Sequence, residues 1–272
     1  MKTILVPCDF SKAAQEAFKF AVNIAARSKG VIHVLYVIDM TFLRGSPTLS
    51  QGYAHDLSFL KELDNEIAEK FQVMRGKYAP LTMSVTFTHV LSSLTSEIEK
   101  QINDKKIDLV VMGTHGEGHS TFGSNTKRTI RNSPVPVISL KNTPEPTRSI
   151  VFPLMPDSVD ERCISDVRNL QNFFGARLHA LYVNTPIFFK DDRESISDLE
   201  KLCKEHFQNY TVNVRSDYTV EQGVINFCKE IHADMVAMET HAWKGIDHFL
   251  LGSIAEDMSA KLLIPLWTKS FQ

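Results

Sequence analysis

The chain contains two imperfect copies of one pattern, and this duplication constrains its fold more than any other feature. Ile4-Leu5-Val6-Pro7 is answered by Ile150-Val151-Phe152-Pro153, and His33-Val34-Leu35-Tyr36-Val37 by His179-Ala180-Leu181-Tyr182-Val183, both at one offset. Later, Asp108-Leu109-Val110-Val111-Met112 is answered by Asp234-Met235-Val236-Ala237-Met238, and Gly123-Ser124 by Gly252-Ser253. Two copies within 272 residues predict two domains, 1–143 and 144–272, each long enough to bury its own core. The join, 141–149, carries Pro144 and Pro146 and reads as a short, semi-stiff linker.

Each half alternates strand and helix. Residues 3–8 are a short apolar run, as expected of a parallel strand covered on both faces. Ser11 is a candidate N-cap for a helix with Ala14, Phe18, Ala21 and Ala25 on one face and Gly30 at its end. A strand at 31–38, a long loop at 39–56 and a helix bearing Leu60, Leu63, Ile67, Phe71 and Met74 follow. A third strand is expected at 82–88, a helix at 96–105, a strand at 109–113, a helix from about Ser124 and a fifth strand at 135–140. The second half repeats the order with about 20 residues missing, mostly from the long loop and its following helix. Its first helix opens on Ser158-Val159-Asp160-Glu161, which has capping-box spacing. Such alternation implies a mostly parallel sheet with right-handed crossovers, whose ligands bind at the carboxyl ends of strands where strand order reverses.

Composition excludes several classes. A net charge of −2 gives no electrostatic footprint for nucleic acid or an anionic membrane. No stretch approaches the roughly 20 apolar residues of a transmembrane helix. The amino terminus runs straight into a strand without a secretory h-region, so the expected location is cytoplasmic. Cys8, Cys163, Cys203 and Cys228 share no C-x-x-C spacing and read as reduced, packed thiols. His115 and His119 are four apart in a loop rather than on one helix face, which argues against a metal site. His33 and His179 recur at matched strand positions, where packing or hydrogen bonding is expected. Phe188-Phe189 lies in a loop that could cap a crevice, and Asp191-Asp192-Arg193-Glu194 reads as a solvated turn.

The chemistry concentrates in the first copy. Gly113-Thr114-His115-Gly116 directly follows an apolar strand, where glycine permits close backbone approach or a packed turn. Gly123-Ser124-Asn125-Thr126 opens a helix whose free N–H groups and dipole favour an anion, with Ser124 and Thr126 adding hydroxyls. Asp9 supplies a carboxylate acceptor at the end of the first strand. An acceptor across from an anion site suits a nucleotide. Neither G-x-x-x-x-G-K-[ST] nor G-x-G-x-x-G is present; Lys127 and Arg128 fall on the helix rather than in the phosphate loop.

Taken together, Val6-Pro7-x-Asp9-x-Ser11, then His33 to Val37, then Val111-Met112-Gly113-Thr114-His115-Gly116 with Gly123-Ser124, resemble the universal stress protein family, as a tandem pair over nearly the whole chain. The resemblance implies an α/β fold: two tandem Rossmann-like (adenine nucleotide alpha hydrolase-like) domains. Each would be a five-stranded mostly parallel sheet with flanking helices. It implies ATP or another adenine nucleotide in the first crevice, with magnesium as an optional companion, and a regulatory role in a stress response. Carried over by motif, the nucleotide-binding set is Pro7, Asp9, Ser11, Val37, Met112, Gly113, His115, Gly116, Gly123, Ser124, Asn125 and Thr126. Asp9 and Val37 would face adenine, Gly113 the ribose, and Gly116, Gly123, Ser124 and Asn125 the phosphates. Family dimers pair through their last strands; 135–138 and 264–267 could do so within this chain as a pseudo-dimer, with a further homodimer left open.

The copies depart from the pattern differently. The first has six residues between Gly116 and Gly123 where the family has about nine, so weakened contacts to the outer phosphates are expected. The second has Met155 where Asp9 stands and Glu239 and Ala242 where Gly113 and Gly116 stand, and is expected to bind no ATP. Two other readings remain at this level. One is a slow ATPase or phosphotransferase, although only Glu117 and His115 offer a general base near the loop and no arginine finger lies in it. The other is a ligand-free scaffold or small-molecule binder.

Overall fold

The structure, a computed structural model, describes residues 1–38, 57–114, 124–144, 146–187, 189–240 and 251–270. Contacts divide the chain into two compact units, Met1–Asn125 and Thr126–Gln272. The long loop expected at 39–56 lies outside the described residues.

In the first unit, β1 (Thr3–Pro7), β2 (Val31–Ile38), β3 (Val85–Leu91) and β4 (Leu109–Gly113) form a parallel sheet in the order β3-β2-β1-β4. The last four residues of β1 and the first four of β4 are buried, which is why both sequences are continuously apolar. Helix α1 (Lys12–Ser28) buries Ala14, Phe18, Ala21 and Ala25, the face read from the sequence, together with Phe20 and Ile24. Helix α2 (Leu57–Tyr78) buries Ile67, Phe71 and Met74. Helix α3 (Leu94–Lys105) starts two residues before the expected position and is capped by Ser93. β3 is displaced from the expected 82–88 by pairing with β2, whose register runs from Ile32↔Val85 to Ile38↔Leu91. Residues before it turn instead, with the Met83 amide donating to the Pro80 carbonyl at 3.0 Å.

The second unit begins within α4 (Ser124–Asn132) and contains β5 (Val137–Leu140), β6 (Ser149–Pro153), α5 (Glu161–Phe174), β7 (Arg177–Asn184), α6 (Asp192–His206), β8 (Tyr210–Ser216), α7 (Val220–Glu230), β9 (Met235–Glu239), α8 (Leu251–Lys261) and β10 (Leu266–Lys269). Its strand order is β5-β10-β9-β6-β7-β8, so the second copy supplies five parallel strands. β5, the last strand of the first copy, joins β10 antiparallel through Leu266↔Ser139, Trp267↔Ile138 and Thr268↔Val137. That pairing places the contact boundary ahead of the sequence boundary at 143/144. Arg131 Nη2 reaches Glu256 Oε1 at 2.6 Å, and Lys127 Nζ reaches Asp257 Oδ1 at 2.7 Å, joining α4 to α8 with opposite charges.

The copies share small devices as well as strands. Asp108 accepts from the Lys2 amide at 2.8 Å, and Asp234 from the Arg148 and Ser149 amides at 2.8 and 2.9 Å. Each carboxylate ties the start of one central strand to its neighbour. His33 Nδ1 lies 2.6 Å from Thr86 Oγ1, and His179 Nδ1 lies 2.8 Å from Thr211 Oγ1, at equivalent cross-strand positions. Burial pushes both imidazoles below their usual pKa, with Lys105 adding to the effect at His33 and Arg177 at His179. A histidine held neutral stabilises the fold fully above its unfolded pKa, about 6.5, and loses that contribution as pH falls through the lower folded value. The denaturant midpoint should therefore drop between about pH 7 and pH 5. A His33→Gln/His179→Gln protein should show a shallower drop in the same titration.

Candidate functional site

The site is built where β1 and β4 end side by side while β2 continues past them on the far side of β1. Strand order reverses there, which is where open α/β sheets hold ligands. Pro7 closes β1 opposite Leu35, and the Cys8 amide donates to the Leu35 carbonyl at 2.9 Å. The chain then turns sharply into α1. Asp9 Oδ1 accepts the Ser11 amide at 3.0 Å, and Ser11 Oγ accepts the Ala14 amide at 3.2 Å as N-cap. Ser11 is thus used by the helix it caps, as its sequence position predicts. Asp9 is exposed, and its Oδ2 has no partner among the described residues.

Phe10 makes this turn possible. It adopts φ 62°, a left-handed conformation that costs a non-glycine residue roughly 1 kcal/mol. Its ring stacks on Tyr36 at 5.3 Å and meets Phe87 at 6.4 Å, and Phe87 stacks in turn on Phe71 at 4.3 Å. Such contacts contribute about 0.5–1.5 kcal/mol each and offset the strain. The sequence reading missed this cluster. The available signal was an aromatic immediately after a strand-end aspartate, with others at 36, 71 and 87; no spacing rule connects them.

Val37 lies two residues beyond the last β1–β2 pair, so β2 carries it past the end of β1 beside this turn, half-buried. Met112 is buried in β4. Gly113 faces the first turn of α1 so closely that a Cβ there would sit 2.6 Å from the Ala13 carbonyl carbon. Helix–strand packing alone thus requires glycine at 113. Pro7, Asp9, Ser11, Val37, Met112 and Gly113 are brought to one end of the first unit's sheet. His115, Gly116 and Gly123 lie outside the described residues. Ser124 opens α4, Asn125 is exposed on it, and Thr126, buried, is the first residue of the second unit.

The corresponding place in the second copy is built differently. Three extra residues separate β6 from the N-cap of α5, which is Asp160 rather than the expected Ser158; Asp160 Oδ1 accepts the Arg162 amide at 2.7 Å. Ser158 and Val159 instead turn back, their amides donating to the Met155 carbonyl at 3.1 Å. The helix start is set back, and Glu239, the counterpart of Gly113, occupies the space: it is 4 % exposed and its Oε2 accepts the Asp160 amide at 3.4 Å. A carboxylate at the helix N-terminus satisfies an amide that an anionic ligand would otherwise take. A cavity of about 550 Å³ nearby is lined by Arg162 and Lys269 among others, but Arg162 is paired with Asp160 and Lys269 with Asp166.

Further along, Asn184 grips the Lys190 backbone through both amide atoms, and Lys190 Nζ pairs with Asp198 at 2.6 Å and Asp157 at 3.1 Å. Phe189 projects into solvent, 79 % exposed, rather than covering a crevice; Phe188 lies outside the described residues. Asp191 is the N-cap of α6 and the next three residues form its first turn; all four are exposed, as a solvated turn requires, but the segment is a helix start. All four cysteines are buried and unpaired by disulfide. Burial raises Cys8 to about 12 despite the Phe10 amide it accepts. Among the described residues no acidic, histidine or cysteine cluster could hold a metal, and no helix is long and apolar enough to cross a membrane.

Comparison with known proteins agrees with this architecture. The model of the universal stress protein family matches residues 1–141, just over half of the sequence. The chain belongs to the universal stress protein family. A universal stress protein of Methanocaldococcus jannaschii is 32% identical over 145 residues, 52% of this chain and 82% of that protein. A universal stress protein of Synechocystis is 24% identical over 98% of this chain and 99% of its own length, which matches the tandem arrangement. The crystal structure of a universal stress protein from Archaeoglobus fulgidus superposes with a TM-score of 0.70 at 18% identity, covering 98% of this chain and 96% of that one. The similarity to the Synechocystis protein and to the Archaeoglobus fulgidus fold thus spans both copies of the chain.

Proposed function

We propose that the first copy binds an adenine nucleotide at the carboxyl ends of β1 and β4, and that the occupied state regulates partner proteins in a stress response. The observation that carries this reading is Asp9: an exposed carboxylate, fixed by the Ser11 amide at the point where strand order reverses. Its free oxygen is placed to accept from a base or ribose. Val37 forms an apolar neighbour for the base, and the N-terminus of α4, opened by Ser124, offers amides to phosphate. The second copy, with Met155 in place of Asp9 and Glu239 at its helix start, serves as a structural partner. The cytoplasm is the compartment proposed for this role.

The short segment between Gly116 and Gly123 favours adenosine recognition over grip on the outer phosphates. Titration calorimetry should give AMP, ADP and ATP dissociation constants within about threefold of one another, or roughly 0.7 kcal/mol. A strong preference for ATP with magnesium would sink that refinement. Asp9→Ala should weaken AMP binding about tenfold or more, the usual scale for a lost hydrogen bond to a charged group. Asp9→Asn keeps an oxygen for the Ser11 amide and should retain more of the affinity. Equal binding by wild type and Asp9→Ala, with both folded by circular dichroism, would remove Asp9 from the site.

A further inference from the structure

We infer that β8 and α6 form a second binding site, a groove that takes an extended peptide segment as an added strand. β8 is the last strand of the second unit's sheet, paired to β7 on one side and to no other strand among the described residues. Along its outer side runs a cavity of about 880 Å³. Its walls are six consecutive β8 residues, 210–215, and α6 residues at 192, 196, 197, 200, 201 and 204. Side chains of a strand alternate between faces, so six consecutive lining residues mean that the cavity follows the backbone edge. The α6 positions follow helical spacing and form one stripe. An edge strand beside a helical stripe is the geometry of strand addition.

The direction of the backbone groups can be read from the ladder. The Asn209 carbonyl accepts from Leu178 at 3.0 Å, and the Asp217 amide donates to Asn184 at 3.0 Å, so odd-numbered residues face β7. Backbone direction alternates along a strand, which turns the N–H and C=O of Tyr210, Val212 and Val214 outward into the groove. The Val214 carbonyl confirms this: it accepts the Arg215 guanidinium of its own neighbour at 3.0 Å, not a ladder donor. Thr211 and Arg215 put their side chains toward His179 and Phe227. Tyr210, Val212 and Val214 therefore lie on the opposite face, the α6 side, where Ile196 is 40 % exposed. The strand contains no proline to block addition.

Charge selects the occupant. α6 leads directly into β8, so its last turns, where Lys201 and Lys204 outnumber Glu200, stand beside the start of the strand, whereas Asp192 stands at the other end. Neither lysine forms an ion pair among the described residues, whereas Arg215 is held by Glu230 at 2.7 Å. The fitting partner is an extended segment with apolar residues at alternate positions and an acidic carboxyl-terminal end over Lys201 and Lys204, running antiparallel to β8.

The test uses the full chain and two fluorescein-labelled octapeptides of alternating threonine and valine, one ending in two aspartates and the other in two lysines. Anisotropy should show saturable binding of the acidic peptide and about tenfold weaker binding of the basic one. Val212→Pro removes one outward N–H and no ladder donor, so the chain should fold and lose at least about tenfold in affinity. Lys201→Glu/Lys204→Glu should invert the peptide preference, which decides the matter even if Val212→Pro fails to fold. On hydrogen exchange, the acidic peptide should protect Tyr210, Val212 and Val214. Equal binding of the two peptides, no binding at about 1 mM, or undiminished binding by folded Val212→Pro would overturn the inference. So would a β8-mediated dimer of the chain, seen by sedimentation and dissolved by Val212→Pro, because a second copy would then own the groove.

Discussion

Trp267→Ala should be the most damaging single truncation in the second unit, costing about 3–5 kcal/mol. Trp267 is 2 % exposed and is the largest fully buried side chain among the described residues. It sits in the middle of β10, paired on one side with Ala237 of β9 and on the other with Ile138 of β5. β10 and β5 are only four residues each, so few ladder bonds hold them and side-chain burial must supply the rest. Removing the indole leaves a cavity that Ile138, fully buried and directly opposite it in the β5 pairing, cannot fill without shifting the strands. Trp267→Phe keeps an aromatic ring and should lose less than half as much. Urea unfolding followed by far-ultraviolet circular dichroism would measure both. A loss below about 1 kcal/mol for the alanine variant would mean that β10 is held by something other than its core side chain.

The sequence made most of the architecture legible because the two copies check each other. A strand motif such as Asp108 to Met112 gains weight when Asp234 to Met238 repeats it, and both carboxylates do the same work at a strand start. Continuous apolar runs marked the central strands, since burial on both faces leaves no position for a polar residue. β3 was misplaced by three residues because alternation fixes faces but not register; register came from pairing with β2. The cap of α5 moved from Ser158 to Asp160 because two acceptors competed for one helix start and the backbone turn at Met155 decided between them. At the candidate site, Asp9 was legible as a strand-end carboxylate. Its support was not: the positive φ of Phe10 and the stack on Tyr36 join residues far apart in sequence. Gly113 was legible as a glycine after a strand but not for its reason, since only the structure brings Ala13 against it.

That reason makes Gly113→Ala a decisive substitution. The added methyl would lie 2.6 Å from the carbonyl carbon and 2.8 Å from the oxygen of Ala13. These are backbone atoms of α1, whose start is fixed by the Ser11 cap and the Asp9 turn, so no side-chain rotation relieves the contact. Overpacking typically costs 1–3 kcal/mol, and a rigid backbone neighbour places this case at about 3 kcal/mol. Displacing α1 would also displace Asp9, so AMP affinity should fall together with the melting temperature. A glycine kept only for ligand approach would behave otherwise: alanine would reduce AMP binding and leave the melting temperature unchanged. Glu239→Gly at the matched position of the second copy supplies the contrast. The set-back start of α5 leaves room there for a side chain, so glycine relieves no crowding. It removes the carboxylate that accepts the Asp160 amide, and a modest loss of about 1 kcal/mol is expected. Unequal costs at equivalent positions would identify the length of the first strand–helix loop as what dictates glycine in one copy and permits glutamate in the other.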